Sequence, residues 1–566
     1  MAALIAISGV ALRANEIGAF GFSNDEAWVA LSTRVAGFAQ AWLAIAMTPV
    51  AWAGLVHAFS LASASEAALR AVPLLFGALT LAVAYRAGAR FAEHPLGGVF
   101  AVAAVAFDPL SIAFSKILKQ YTAEAFFCLL AIDAALRAAR SGRRRDLGRL
   151  VVVLVVGCFF ANSQVFVAPP ALGAVLVDAA LRRDRRRATE ASVATGVVGL
   201  VALLVLVLLV SPRLPDSTDR YWGAQVYLPV SVGALTIAWQ RLGFVLVPAL
   251  GWWGFTGSAV ALVLCGIARE RRVAAIAIGL LVLELVAASM LRIVPLSQPR
   301  VLLFATTAIA AYGAAALAVL LRAAWARPRL RVAAAAGLLF IAVDFAQVHR
   351  WRTLGRPILV EDAAPLVRRL ESARGPDDRV IVHSKATFLF AHYQRATPVL
   401  DPSRGASTGY IPRLPDDRVV RADDRTLVAA TRAALRQSPR VWVLVARKGG
   451  QEHKKIAQKL ASLGRIVDQR ARREALLIEL VAHDSVPRPN PSLTRGGGGA
   501  GRFPPARPPR RGRSGRARRP KAGNHPTLVR VRRLRGPWRR FRLVLPRRRG
   551  PVRGSQGLRS RSRMVA

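Results

Sequence analysis

The stretch Arg182-Arg183-Asp184-Arg185-Arg186-Arg187, followed after Glu190 by the uncharged run from Ser192 to Val210, decides the fold. A run of that length meets the roughly 20 apolar residues a helix needs to cross a hydrocarbon core. The Arg cluster before it has the character of a cytoplasmic flank. Working outward, the same pattern recurs on both sides. Apolar runs stand at about 71 to 89, 96 to 114, 122 to 138, 149 to 162, 164 to 181, 243 to 267, 273 to 291, 301 to 321 and 332 to 348. Residues 41 to 61, with Pro49 and His57, suit an interfacial helix as well as a span. The first run, 2 to 12, is short, and a clipped start would account for its length; it lacks the basic segment and small-residue cleavage site of a removable signal. The sequence therefore predicts a polytopic α-helical membrane protein with about eleven transmembrane helices.

Bulk properties agree. The 566 residues are 53% hydrophobic, and the mean hydropathy is +0.34. Net charge is +49. Nucleic acid is not the implied partner, because the basic residues are segregated: about 25 lie after Asp484, where no Asp or Glu occurs, and the rest cluster mainly between apolar runs. The Arg-rich loops 86 to 90, 137 to 149, 182 to 187, 269 to 272 and 322 to 331 fall on one side. By the positive-inside rule that side is cytoplasmic, which puts the residues after 348 outside and implies the inner (cytoplasmic) membrane. Cys128, Cys158 and Cys265 all lie in apolar runs and are read as packing residues.

Two segments differ in character from the membrane part, 1 to 348. Residues 349 to 485 carry mixed charge, β-type runs at Arg379 to His383 and Val441 to Ala446, a helical stretch from His453 to Leu463 and a last apolar run, Ala475 to Val481. They are expected to form a small extracytoplasmic α/β domain without a phosphate-binding fingerprint. Residues 486 to 566 are Arg/Pro/Gly-rich and expected to be disordered. An inert tail or an out-of-frame extension of a GC-rich gene is preferred to polyanion binding, because the composition shift is abrupt.

Against this background the acidic pair Asp25-Glu26, placed just past the first run, calls for a reason, since a carboxylate at the membrane edge is costly unless solvated or partnered. A structural reading is concrete: Ser23 and Glu26 have capping-box spacing. A catalytic reading competes with it.

Several motifs then occur in one order: Asp25-Glu26; Pro49 and His57; Glu66-Ala67-Ala68-Leu69-Arg70-Ala71-Val72-Pro73; Ser115-Lys116-Ile117-Leu118-Lys119-Gln120-Tyr121; Arg220-Tyr221-Trp222-Gly223; and Pro295 to Arg300. Glu361-Asp362, Asp377-Asp378-Arg379-Val380, Phe390-Ala391-His392-Tyr393 and Val441-Trp442-Val443-Leu444 continue the series. Together they resemble the GT-C membrane glycosyltransferases of the protein-mannosyltransferase and aminoarabinose-transferase type (families 39 and 83), over roughly residues 1 to 485. Glu124 stands where that pattern often has Asp, which bears on specificity more than on reaction class.

The resemblance implies transfer of a sugar from a polyprenyl-phosphate carrier to a cell-envelope acceptor (lipid, glycan or protein) on the external face. It implies a carboxylate of the first external loop as catalytic centre, with Asp25 at the matching position. Attack of a hydroxyl or amine on the anomeric carbon needs a base, and Asp25 is the expected one; Glu26 either positions the acceptor or caps its helix. The leaving phosphate needs cations more than an acid. Lys119, beside Tyr121, is the leading candidate, then Arg70 and Arg300, whose alternative is snorkelling at span ends. Tyr221, Trp222 and His57 are read either as interfacial or packing residues or as part of the sugar and acceptor cleft. No cofactor is called for; the resemblance leaves use of a divalent metal open, and no His/carboxylate cluster in the sequence demands one. The rival class is a transporter or flippase of lipid-linked glycans, which would place its charged or broken helices at mid-bilayer within repeats.

Overall fold

The computed structural model describes residues 1–483 except 36–38, 41, 43–47, 211–225, 232, 349–360, 395–397, 400–410, 415 and 448. Tyr221, Trp222 and the Arg/Pro/Gly-rich segment therefore lie outside the described residues. The helical part and the sheet belong to one compact unit, Met1–Arg488.

Among the described residues five helices are long and apolar enough to cross a membrane: Glu66–Ala92, Gln164–Leu181, Arg185–Leu209, Arg272–Met290 and Pro299–Trp325. A bent pair makes a sixth. Shorter apolar helices, Ala2–Ala14, Val50–Ala62 and Pro95–Ala106, accompany them. Tyr121–Ser141, Arg144–Phe160 and Arg331–Val348 occupy three further expected runs. The Arg185–Leu204 helix leaves Val193, Val197, Leu200 and Leu203 exposed. Exposed apolar side chains in such a row are what a lipid-facing surface requires.

Two expected runs are broken, each for a local reason. The run 96 to 114 ends as a helix at Ala106 and restarts at Pro109–Phe114. Asp108 forces the restart: its carboxylate accepts from the backbone N–H of Leu110 and Ser111 at 3.1 and 3.0 Å, and Pro109 takes the first helical position. The run 243 to 267 likewise bends by 114° between Ala234–Val247 and Trp252–Gly266. Gly251, at φ 74°, makes that turn, and Asp344 accepts from Trp253 N–H at 2.9 Å to cap the second helix.

Pro299–Trp325 is the central helix, buried almost continuously from Leu302 to Ala316. Its run of alanines, with Gly313 against Ser258 of the Trp252–Gly266 helix, lets backbones approach closely. Gly88 and Gly97 do the same between Glu66–Ala92 and Pro95–Ala106: a Cβ on Gly88 would fall 2.5 Å from the Gly97 carbonyl oxygen.

One end of the helical part gathers the Arg-rich loops. Buried Asp133 pairs with Arg86 and Arg90, and buried Asp178 with Arg182 and Arg272; Arg140 pairs with Glu93 and donates to the Arg90 and Glu270 carbonyls. Arg144 pairs with Glu190. Four of the five loops expected on one side are thus tied together. Arg70, at the other end of the Glu66–Ala92 helix, is about 30 Å from Arg90 along the axis, the thickness of a hydrocarbon core.

Among the described residues seven strands follow: β1 (Arg379–His383), β2 (Pro398–Val399), β3 (Ile411–Pro412), β4 (Val419–Ala422), β5 (Arg440–Ala446), β6 (Arg465–Arg472) and β7 (Ala475–Val481). Five form a mixed sheet in the order β4-β1-β5-β7-β6, with β1 parallel to β4 and β5, and β7 antiparallel to β5 and β6. β1, β5 and β7 are near-continuous apolar runs because both faces are covered. One face packs the amphipathic helices Leu427–Gln437 and Gly450–Ala461. The other, through Val380, Val382, Trp442 and Leu444, joins the same core as Phe22, Ala27, Leu31 and Leu69 of the helical part. That shared core sets the sheet against the Asp25-Glu26 segment.

Candidate active site

Asn24–Ser32 is a short helix whose start is fixed by a capping box: Ser23 Oγ accepts from Glu26 N–H, and the Glu26 carboxylate accepts from Ser23 N–H at 3.0 Å. The capping reading of the pair is met by Glu26.

Glu26 faces inward, 3% exposed. Its carboxylate takes the Arg70 guanidinium side-on, at 2.8 Å from Nε and 3.1 Å from Nη2, and also accepts from Leu118 N–H at 3.0 Å. Arg70 spends its remaining donors on the carbonyls of Ile17, Phe20 and Gly21 at 2.8 to 3.0 Å and lies over the Phe20 ring. All five N–H groups of Arg70 are engaged, and the side chain is fully buried. The structure places the two, expected at the donor phosphate for Arg70 and as acceptor-positioning or capping residue for Glu26, in a buried brace that shapes residues 17 to 26. Sequence spacing marked the cap but not this partner, because Arg70 meets Glu26 only after the chain turns back.

Asp25 faces the opposite way, 27% exposed. Three cations face its carboxylate. Arg447 Nη2 lies 2.5 Å from Oδ1, Arg300 Nη1 lies 3.6 Å from Oδ2, and Lys119 acts on it through space. Burial pushes the Asp25 carboxyl up, but Lys119, Arg447 and Arg300 outweigh it and hold the group below the usual carboxylate range. Lys119 is 8% exposed, with its ammonium 4.2 Å above the Trp28 ring. Burial, helped by Arg300 and Arg447, lowers Lys119 to about 8 against the pull of Asp25 and Glu26. Arg300 occupies the first turn of Pro299–Trp325, the end where the helix dipole disfavours a cation. Asp25 and any anionic ligand are what would compensate it there.

Lys119 is held in place from both sides. Leu118 N–H is fixed by Glu26, and Lys116, fully buried, donates to the Asn15 carbonyl at 2.6 Å. Tyr121 opens the following helix and packs edge-on to Phe114 at 5.3 Å. Glu124, one turn on, is buried beside Gln120 and Asn162. His57 stands half-buried on Val50–Ala62. The structure thus brings Asp25, Lys119 and Arg300 together, puts Arg70 and Glu26 in the brace behind them, and leaves Tyr221 and Trp222 undescribed. His392-Tyr393 contacts the helical part: Tyr393 Oη accepts from Phe22 N–H at 2.8 Å and donates to Glu66 at 3.0 Å, and Arg34 donates to the His392 carbonyl.

Two residues of the sheet part were missed from sequence. Glu361, 2% exposed, accepts from Asn24 N–H at 2.8 Å and from Arg447 Nε at 2.5 Å. Arg447 itself follows β5 and carries a positive φ of 58°. Glu361-Asp362 was visible as a motif, whereas nothing near Arg447 marks it in the sequence. Among the described residues no group of three or more His, Cys, Asp and Glu is arranged to hold a metal.

Residues 47–211 match a family model described as dolichyl-phosphate-mannose-protein mannosyltransferase. The match takes in His57, Arg70, Lys119 and Tyr121. The crystal structure of ArnT from Cupriavidus metallidurans in the apo state aligns with a TM-score of 0.51 at 14% identity, covering 86% of this chain and 99% of that one. The chain has a GT-C-type fold. A second crystal structure of that ArnT, bound to undecaprenyl phosphate, aligns at a TM-score of 0.49 and 15% identity, with 86% and 99% covered. A search of the curated proteins gave no match. The GT-C resemblance read from the motif order is borne out, and neither comparison supports a transporter.

Proposed function

We propose that this chain transfers a sugar from a polyprenyl-phosphate carrier to a cell-envelope acceptor on the external face of the cytoplasmic membrane. The observation that carries the reading is the placement of one partly buried carboxylate, Asp25, among Lys119, Arg300 and Arg447 at the end of the helices remote from the Arg-rich loops. Those loops mark the cytoplasmic end, so the site and the α/β part face outward, with about eleven spans in all. The family match, named for a dolichyl-phosphate sugar donor, favours the same donor class.

The chemistry follows from the charges. A donor phosphodiester brings one negative charge to a site already holding a carboxylate, and Lys119 and Arg300 supply the compensation. The acceptor oxygen or nitrogen attacks the anomeric carbon while Asp25 takes its proton. The bond from that carbon to the phosphate oxygen breaks, and its electron pair leaves on the lipid phosphate, stabilised by the same cations. A carboxylate held at low pKa is a weak base, so proton transfer is concerted with bond formation, when the acceptor has become acidic. Arg70 and Glu26 act at one remove, by fixing the loop that carries Lys119. Tyr121 borders the donor site, and Tyr221, Trp222 and His57 remain candidates for the sugar and acceptor cleft.

The test is direct. Membranes containing the full chain are incubated with radiolabelled polyprenyl-phosphate hexoses and pentoses, and with nucleotide sugars as controls. Label is expected to pass to an envelope acceptor from a lipid-linked donor. Transfer from nucleotide sugars alone, or movement of glycan across the membrane without transfer, would overturn the reading.

A further inference from the structure

The α/β part does more than lie over the carboxylate. Phe22 N–H is held by Tyr393, Asn24 N–H by Glu361, and Asn24 Oδ1 accepts from the N–H groups of Phe388 and Leu389 at 3.1 and 3.3 Å. Asp25 itself is held by Arg447. The planar guanidinium spans two carboxylates along one edge, Nε to Glu361 and Nη2 to Asp25, both at 2.5 Å. Glu361 is in turn anchored to the backbone of the residue preceding Asp25, so the pair grips the catalytic segment at two adjacent points.

A second observation is independent of these contacts. Arg447 adopts a left-handed backbone at φ 58° immediately after β5. Non-glycine residues seldom occupy that region, and such strain collects where the surrounding structure requires a particular placement. Gly449 and Gly450, residue types that could adopt it at little cost, stand two and three positions on and do not take it. The strained conformation falls instead on the residue whose side chain reaches Asp25.

We propose that Arg447 is a positioning residue of the active site: held by Glu361, it fixes and charges the Asp25 carboxylate, so the α/β part is a component of the catalytic machinery. This rests on the reading of Asp25 as the active carboxylate. The groups facing Asp25 are Lys119 from the loop before Tyr121–Ser141, Arg300 from Pro299–Trp325, Arg447 from the end of β5, and the negative neighbour Glu361; Glu26 points away into its pairing with Arg70.

Arg447 and Glu361 have opposite electrostatic effects on Asp25, which gives a test that loss of folding does not imitate. Full-length Arg447→Gln and Glu361→Gln are purified in detergent, and the pH dependence of kcat/KM is measured with the radiolabelled polyprenyl-phosphate sugar that the wild type uses. Arg447→Gln removes a cation from the Asp25 carboxyl, so the acid limb moves up by about one pH unit. Glu361→Gln removes a negative neighbour, so the same limb moves down. Arg447→Ala is expected to lose at least 50-fold in kcat, with part restored by millimolar guanidinium ion. The proposal is overturned if both limbs stay at the wild-type position, if they move in the same direction, or if Arg447→Ala transfers at the wild-type rate. Failure of the underlying reading shows separately, as wild-type transfer by Asp25→Asn.

Discussion

The Glu26 carboxylate accepts a hydrogen bond from the backbone N–H of Leu118 at 3.0 Å, so the residue beside Asp25 holds the loop that presents Lys119. One short helix thereby positions both signs of charge in the site. Asp25 supplies the anion directly, and Glu26 places the cation through the chain.

Glu26→Ala is expected to act on stability first. It leaves the Arg70 guanidinium buried without its charge partner and frees the Lys119 loop, a change that costs about 3–5 kcal/mol. Thermal unfolding of the purified chain measures it. Arg70→Ala should cost a similar amount, and the double variant less than the sum, because the two share one interaction.

Lys119→Ala should lower kcat/KM for the lipid donor by about 100-fold, the scale of removing one preorganised charge donor. Its pH signature is separable from that of Asp25. With its pKa lowered to about 8, Lys119 is cationic below that pH and loses its charge as pH rises through it. Donor capture should therefore fall above about pH 8 in the wild type, and Lys119→Arg should abolish that alkaline limb. A profile with no alkaline limb, or one unchanged in Lys119→Arg, would remove Lys119 from the phosphate site.

Gly88→Ala tests the packing at the other end. Its new Cβ would meet the Gly97 backbone at 2.5 Å, which only a shift of one helix relieves, so a loss of about 1–3 kcal/mol is expected from thermal unfolding. Gly148→Ala, with open space around its position, is the control and should leave stability unchanged or slightly raised.

Much of this was legible in the sequence, and the remainder was hidden for identifiable reasons. Apolar length and Arg placement are one-dimensional signals, so the helices from Glu66–Ala92 to Pro299–Trp325 could be read directly. Interruptions were less visible: Asp108-Pro109 and Gly251 each carry a helix start inside an apolar stretch. The brace and the cluster depend on contacts between distant segments. Arg70 and Lys119 both looked like cations beside a span, and only folding shows that Arg70 has spent its five donors on Glu26 and three carbonyls, whereas Lys119 stands over Trp28 near Asp25. Arg447 had no sequence signal, since an Arg at a strand end is ordinarily a solvated residue. Its importance lies in the segment 22 to 25 that the sheet holds.

The central claim is that Asp25 is the active carboxylate and Glu26 its structural neighbour. The most direct measurement compares transfer from a radiolabelled polyprenyl-phosphate sugar by wild type, Asp25→Asn and Glu26→Gln, each normalised to folded protein. Asp25→Asn is expected to unfold near the wild-type temperature yet lose at least 100-fold in transfer, while folded Glu26→Gln keeps most of its activity. Wild-type transfer by Asp25→Asn would contradict the account.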